Sequence, residues 1–332
     1  MDTRLLNVSA FPDGELGSIV QGFLEVPDTN FRLPYTLITG ETEGKTVLIT
    51  AGVHGSEYVS IEVAKRLAKS LKPDCLCGKV LIVSPVNASA FFGLLPFVMA
   101  EDGKNLNRVF PGDSQGTASQ QLAYFLVHSL MAKADFYMDM HGGDMPEILG
   151  PMVFYPMNPQ ASAEVVEASM QACEALGFRF ATPSLSEIGS IGAAAALGVP
   201  GFLSEMGCNA LWTEAEVLEY QEAIHRVLIH LGVLQGKTLE PKHVLWTKPQ
   251  QSISSGAEGF WYPSCQSGQH VLAGQKLGEV RDWFDNVLEE YFAPADLLII
   301  YQRSTLSVTK GASLVAYAEP VDKEASKARE YF

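Results

Sequence analysis

Long apolar runs are absent from the 332-residue sequence, and with them the usual signs of a membrane protein. A membrane-spanning helix needs about 18 or more mostly apolar residues in succession. Residues 191–203 form the most apolar stretch, but it is short and interrupted by Gly198, Pro200 and Gly201. The N-terminal stretch MDTRLLNVSAFPDGE also lacks the basic start and apolar core of a secretory signal. We therefore expect no membrane span, no secretory leader and a cytoplasmic location.

Basic residues are scarce as well: 23 Lys and Arg face 38 Asp and Glu, which leaves a net charge of −15. An acidic protein repels the phosphate backbone, so nucleic acid is not an expected partner. A small anionic substrate is still allowed, because a pocket can be locally positive on an acidic protein.

Cysteines are few and irregularly placed. The five cysteines are odd in number, and only Cys75 and Cys77 lie close together in the sequence. No zinc-ribbon spacing appears among them. This pattern predicts reduced cytosolic thiols rather than a disulfide framework.

The pattern of apolar residues predicts an α/β fold. Residues 46–53 contain a continuous apolar run typical of a strand buried on both faces, and apolar residues then recur at four-residue intervals from Val59 to Leu71. Residues 79–86 form a second buried strand, which completes a β-α-β unit. The same reasoning predicts strands at 134–140 and 199–204 and helices at 120–132, 161–176, 189–197 and 214–234.

The flanking segments have a different character. Residues 1–40 carry short alternating stretches, which predict edge strands or a hairpin laid against the main sheet. Beyond residue 240 helical patterns disappear and short strands alternate with glycine turns. We expect two domains: an α/β domain at 1–240 and a small all-β domain, barrel or sandwich, at 241–332 with a charged tail.

His54 and Glu57 lie at the first strand-to-helix junction, at the carboxyl end of a predicted strand. Open α/β sheets bind ligands at such ends. An imidazole and a carboxylate on one tight turn can face a single metal ion, and with a second histidine they form a catalytic zinc set. The motif alone is weak, and Glu57 could equally be an acidic residue favoured at a helix start.

Two further strand ends carry the same kinds of side chain. The predicted strand at 134–140 leads into His141, with Asp139 on the same face, and the strand at 199–204 leads into Glu205. His141 would complete the zinc set and leave a fourth position for water. Asp139 either orients His141 or caps a turn. Glu205 either caps the next element or transfers protons as a carboxylate that does not bind the metal.

The long stretch 88–120 is poorly periodic, and loops of this length in compact domains usually serve a function. It contains Asn107 and Arg108 side by side. The guanidinium of Arg108 offers a planar fork for a substrate carboxylate, and Asn107 adds a hydrogen bond.

Four motifs in this order, AGVHGSE, DGKNLNRVFPG, DMHGG and FLSEMG, resemble the succinylglutamate desuccinylase/aspartoacylase family, a branch of the zinc carboxypeptidase superfamily. The resemblance covers about residues 45–210 and also extends to the C-terminal β-domain. It implies a carboxypeptidase-like mixed sheet flanked by helices. It further implies one zinc per chain and hydrolysis of an N-acyl amino acid amide. The implied roles are zinc binding by His54, Glu57 and His141, proton transfer by Glu205, and carboxylate binding by Asn107 and Arg108.

One position departs from the pattern of relatives that have this longer loop. Such relatives often carry another arginine about ten residues before the Asn-Arg pair, where it polarises the scissile carbonyl. Here the position is Phe97, within an apolar run. A preorganised donor to an oxyanion can contribute about 3 kcal/mol, so either another group replaces this arginine or the substrate differs.

Other functions fit the same residues. A zinc carboxypeptidase or an esterase would use the same machinery, because a base such as Glu205 does not discriminate amide from ester. A metal-retaining binding protein without catalysis is the third alternative, and Phe97 is the feature that favours it. The sequence leaves open the acyl group, the amino acid and the oligomeric state, a homo-oligomer included.

Overall fold

Most of the chain is organised by a large mixed β-sheet. The computed structural model describes residues 4–237, 240 and 242–328. Strands of the large sheet are, in chain order, β1 (Arg4–Val8), β2 (Ile19–Glu25), β3 (Arg32–Thr39), β4 (Thr42–Ala51), β5 (Cys77–Val83), β6 (Phe136–His141), β8 (Met152–Pro156), β9 (Phe180–Ser184), β10 (Gly201–Glu205), β11 (Leu245–Thr247) and β20 (Pro320–Val321).

The other strands form two smaller sheets. These strands are β7 (Glu147–Leu149), β12 (Gln251–Ser254), β13 (Gly259–Pro263), β14 (His270–Val271), β15 (Lys276–Arg281), β16 (Val287–Phe292), β17 (Leu297–Arg303), β18 (Ser307–Val308) and β19 (Ser313–Ala318). The α-helices are α1 (Tyr58–Ser70), α2 (Ala88–Gly93), α3 (Ala118–Phe125), α4 (Ala163–Leu176), α5 (Ser190–Ala196) and α6 (Glu214–His230).

The large sheet has the order β1-β2-β3-β5-β4-β6-β10-β8-β9-β11-β20. Its centre, β5-β4-β6-β10, is parallel, and β8 runs antiparallel to β10. The side chains of β4 alternate between two cores, with Ile49 packed among α1, α4 and α6 on one face and Leu48 packed with α3 and α5 on the other. This confirms the predicted mixed α/β fold and explains why β4 has a continuous apolar run.

Most predicted elements are confirmed with small shifts in their bounds. Three differences stand out. The stretch 88–120 is not a plain loop, because it contains α2 and a 3-10 turn at Leu106–Arg108. The predicted helix at 120–132 begins earlier as α3 and continues as a π turn and a 3-10 turn. Strands β8 and β9 are not predicted by the sequence; each contains a proline, Pro156 and Pro183, which is unfavourable in a strand.

The C-terminal segment contains the predicted short strands, arranged as two small sheets. Strand β7 pairs with β17, so the loop after β6 is attached to this segment. Strands β11 and β20 instead extend the large sheet. The division at 240/241 therefore stays a prediction, and residues 238, 239 and 241 at this boundary lie outside the described residues, as do residues 329–332 of the charged tail. Among the helices of the described ranges, none has the length and apolar character needed to cross a bilayer.

Candidate active site

Neighbouring strands deliver the predicted functional residues to one edge of the sheet. Strands β4, β6 and β10 are adjacent and parallel, so their carboxyl ends meet. His54 and Glu57 follow β4, His141 ends β6 and Glu205 ends β10, in register with His141. This convergence is the one expected for the ligand-binding edge of an open α/β sheet.

The side chains of His54, Glu57 and His141 form a compact cluster of possible metal donors. One potential donor atom from each lies within 4.8 Å of the others. Glu57 Oε1 faces the Nδ1 atoms of both histidines, at 2.7 Å from His54 and 3.1 Å from His141. Two imidazole nitrogens and a carboxylate match the protein ligands of a catalytic zinc site, so the donor set fits the ion.

The protonation of this cluster reflects its burial and its charges. Burial disfavours a charged imidazole, but the negative charges of Glu57 and Asp139 outweigh that effect and raise the pKa of His141 well above its usual value. Burial also disfavours ionised Glu57, yet the two histidines hold its pKa below the usual value. In the metal-free protein the cluster therefore favours protons on the histidines, and a bound cation would have to displace them.

Asp139 lies behind His141 and is fully buried. Its Oδ2 is 3.0 Å from His141 Nε2. The Thr50 hydroxyl donates to its Oδ1 at 2.7 Å, and the Ser190 hydroxyl donates to Oδ2. A carboxylate on the far nitrogen of a histidine orients the ring and leaves the nearer nitrogen for a metal. This geometry favours the orienting role for Asp139 over the turn cap, and the role itself stays a prediction.

Glu205 brings a buried carboxyl group to the same cavity. It lines one cavity together with His54, Glu57 and His141. Its Oε2 is buried and has no hydrogen-bond partner among the described residues. Burial, and next the negative charge of Glu57, raise the pKa of Glu205 well above its usual value. A carboxyl group with a raised pKa in a cavity is a typical proton-transfer group.

Asn107 and Arg108 line the same cavity from the 3-10 turn. Asn107 Oδ1 accepts a hydrogen bond from the backbone N–H of Ser190 at 2.9 Å, which fixes the side chain and leaves its NH₂ group as the donor. Arg108 Nη1 donates to the carbonyl of Asn107 at 2.8 Å. No carboxylate in the described part of the chain forms an ion pair with Arg108, so its guanidinium keeps donors for a ligand.

The cavity has a volume of about 590 Å³ and contains residues that the sequence did not predict. Tyr301 and Arg303 reach it from β17 because β17 pairs with β7. Arg303 is held by bonds from Nε to the Ser313 carbonyl at 2.8 Å and from Nη1 to Thr305 Oγ1 at 3.1 Å. No local signal marks these residues, because their position depends on a pairing across about 150 residues of chain.

Two more carboxyl groups, Asp144 and Glu147, line the cavity after His141. Asp144 Oδ2 is 3.5 Å from His54 Nδ1, and Ser56 donates a hydrogen bond to the other oxygen. Burial, followed by the charge of Glu57, raises the pKa of Asp144 to about 7. Glu147 Oε2 accepts the backbone N–H of Asp144 at 3.1 Å. The cavity residues that the sequence did not predict therefore include two carboxylic acids, Asp144 and Glu147, as well as the cation Arg303.

Phe97, the position at which the family resemblance leads us to expect an arginine, also lines the cavity. Its ring centroid is 6.4 Å from that of His54 in an edge-on arrangement. Among the cavity residues that the structure describes, the guanidinium groups are those of Arg108 and Arg303. The wall next to His54 therefore holds the apolar ring of Phe97 together with the Asn105 side chain, whose Oδ1 is 3.1 Å from His54 Nε2.

Comparison with known proteins identifies the family. Residues 43–231 match the profile of the succinylglutamate desuccinylase/aspartoacylase catalytic domain. The N-alpha-acetyl-L-2,4-diaminobutyric acid deacetylase of Halomonas elongata is 27% identical, over 95% of this chain and 96% of that protein.

Solved structures show the same fold. The ectoine utilization protein EutE of Ruegeria pomeroyi, with product bound, superposes with a TM-score of 0.84 at 21% identity, covering 93% of this chain and 98% of that one. A succinylglutamate desuccinylase/aspartoacylase from Rhodobacter sphaeroides has a TM-score of 0.83 at 23% identity, covering 94% of this chain and 100% of that one. The profile match spans more than half of the chain, so this protein belongs to the succinylglutamate desuccinylase/aspartoacylase family.

Proposed function

We propose that the protein is a zinc-dependent hydrolase that cleaves the amide bond of an N-acyl amino acid or a related small acid. One observation carries this proposal. The donor atoms of His54, Glu57 and His141 converge in a cavity that is also lined by Arg108 and by Glu205, whose Oε2 has no hydrogen-bond partner in the described part of the chain. A metal-binding group, a proton acceptor and a carboxylate anchor in one cavity are the parts that such a hydrolysis needs.

His54, Glu57 and His141 are the residues that would hold one zinc ion per chain. A zinc ion bound there would supply Lewis acidity, which polarises a carbonyl and makes water acidic enough to attack near neutral pH. Asp139 positions His141 through its hydrogen bond to Nε2 and so keeps Nδ1 directed at Glu57. We assign Asp139 an orienting role on this basis.

Glu205 is the proposed proton-transfer group. Its buried Oε2 has no hydrogen-bond partner among the described residues, so it is available to take a proton from attacking water and deliver it to the leaving nitrogen. The amino group becomes a good leaving group only when protonated. Glu205 therefore acts first as base and then as acid in the proposed reaction.

Asn107 and Arg108 are the proposed anchor for the substrate carboxylate. The Asn107 side chain is already fixed by Ser190, and Arg108 lacks an ion-pair partner in the described ranges. A guanidinium fork and a neighbouring amide donor can bind both oxygens of one carboxylate. This anchor would fix the amide bond relative to Glu205 and reduce the entropy cost of reaction.

The Halomonas elongata relative favours amide hydrolysis over the alternatives, since its name describes a deacetylase of an N-acetylated amino acid. A carboxypeptidase or an esterase would use the same machinery and is the second candidate. The presence of Glu205 beside the donor cluster argues against a non-catalytic binding protein, which has no need of a proton-transfer group.

A hydrolysis panel tests the proposal. The zinc-loaded protein is incubated separately with N-acyl amino acids, with the matching O-acyl esters and with dipeptides. The amino acid released from the N-acyl substrates and dipeptides, and the alcohol released from the esters, are then quantified. We expect zinc-dependent release of amino acid from the N-acyl substrates. Turnover confined to esters or dipeptides would replace the proposed reaction by one of its rivals, and zinc binding without turnover of any class would favour a binding protein.

A further inference from the structure

An apolar lip, defined here as residues 91–97, reaches the cavity at its last residue, Phe97. Its sequence FFGLLPF carries no polar side chain. Phe92 is 79% exposed, Leu94 is 74% exposed and Phe97 is 43% exposed. Contiguous exposed apolar side chains are unusual on a protein surface and mark a binding site more often than scattered ones do. The lip therefore needs an explanation that the proposed chemistry does not supply.

The lip is continuous with the candidate active site. Its inner end, Phe97, lines the cavity and lies edge-on to the His54 ring. The backbone N–H of Ser56 donates to the Pro96 carbonyl at 3.3 Å, which ties the lip to the turn that carries His54 and Glu57. At its outer end Phe91 stacks edge-on with Phe92, with centroids 5.0 Å apart. The exposed lip is therefore connected to the cavity through Phe97.

We propose that the lip binds an apolar acyl chain, so that the preferred substrates are N-acyl amino acids with medium or long hydrocarbon acyl groups. This inference rests on the proposed function. A scissile carbonyl at the donor cluster has Phe97 as a neighbour, and a hydrocarbon chain attached to it can extend along the lip. The charged carboxylate end of the same substrate is held by Arg108. The two ends of an amphiphilic substrate therefore meet matching surfaces, whereas an acetyl group leaves the lip exposed.

The test compares N-acetyl, N-hexanoyl and N-decanoyl derivatives of one amino acid. Full burial of one methylene group increases the binding constant roughly fourfold, and partial burial on an open lip increases it by less. We expect kcat/KM to rise by about tenfold or more from the acetyl to the decanoyl substrate, carried mainly by a lower KM. Binding of N-decyl amino acid, an amine without a scissile bond, is measured in parallel by calorimetry.

Surface variants distinguish binding of the acyl chain at the lip from nonspecific binding to other exposed apolar side chains. Phe92→Ser combined with Leu94→Ser should flatten the rise with chain length and weaken N-decyl amino acid binding, while turnover of the acetyl substrate is preserved. The matched control combines Trp283→Ser with Phe284→Ser, which removes two residues that are 80% and 85% exposed and lie outside the lip, between β15 and β16. This control should keep the full dependence on chain length.

Equal kcat/KM for all chain lengths, together with N-decyl amino acid binding no tighter than that of the N-methyl form, would overturn the inference while leaving the proposed hydrolysis intact. Absence of turnover for every acyl amino acid would instead refute the proposed function, and the binding measurement would still decide on the lip. Dissociation of an oligomer by the Phe92 and Leu94 substitutions, measured by sedimentation, would show that the lip contacts a second copy and would also overturn the inference.

Discussion

Glu205→Gln is the substitution that most directly tests the proposed chemistry. Glutamine keeps the size of the side chain and can still form hydrogen bonds, but it cannot accept a proton from water. The donor cluster of His54, Glu57 and His141 is unchanged by this substitution. We therefore expect zinc to stay bound at about one ion per chain, and substrate to bind through Arg108 and Asn107 as before.

The expected magnitude follows from the position of the carboxylate. Glu205 Oε2 has no hydrogen-bond partner among the described residues, so its loss removes proton transfer without breaking a structural bond. General acid–base help usually accounts for about 10²- to 10⁴-fold in rate. A fall of at least about 10²-fold, equivalent to about 2.7 kcal/mol of transition-state stabilisation, should appear in kcat rather than KM.

The assay compares kcat, KM and zinc content of Glu205→Gln with those of Glu147→Gln. Glu147 lines the same cavity, but its Oε2 accepts the Asp144 N–H, which a glutamine oxygen can also accept. The control should lose much less activity. A Glu205→Gln protein with bound zinc and near wild-type kcat would refute proton transfer by Glu205. Loss of zinc would instead make Glu205 a metal ligand.

Stability supplies a second readout in the metal-free protein. Burial raises the pKa of Glu205 well above its usual value, so the folded state holds this proton more tightly than the unfolded state. Such a group favours folding at acidic pH and loses that contribution as pH rises through its folded-state pKa. Glu205→Gln should therefore raise the melting temperature at about pH 8 and change it little at about pH 4. An equal rise in melting temperature at both pH values would mean that ionisation of Glu205 does not cause the effect.

The remaining predictions concern metal and substrate binding. His141→Ala should remove most of the zinc because it deletes one of three donors. Elemental analysis of the purified protein checks this, with His128→Ala as the control because His128 does not line the cavity. Stoichiometric zinc in His141→Ala would refute the ligand assignment. Arg108→Lys keeps the charge but loses the planar fork, so KM should rise more for substrates with a free carboxylate than for their neutral amides, and an equal rise for both classes would indicate a structural role.

Local patterns were sufficient to locate the central elements and the donor residues. The apolar run of β4 and the helical spacing of α1 can be read from consecutive residues, because strand and helix periodicity depend only on near neighbours. His54, His141 and Glu205 are recognisable because each follows directly on an apolar run of the sequence. The sequence could not supply the order of strands, since pairing joins segments far apart in the chain. Strand β8 illustrates this: it lies between β10 and β9, antiparallel to β10 and parallel to β9, although it precedes both in the chain.

What surrounds the donor cluster was decided by tertiary structure. Arg303 enters the cavity only because β17 pairs with β7, and Phe97 meets His54 only because the Pro96 carbonyl accepts from the turn at Ser56. The sequence by itself determined which residue types stand at the strand ends, because each short motif directly follows an apolar run and so forms the turn at the end of that strand. Tertiary structure alone decided which distant walls close around them, because that outcome depends on long-range packing that local periodicity does not encode.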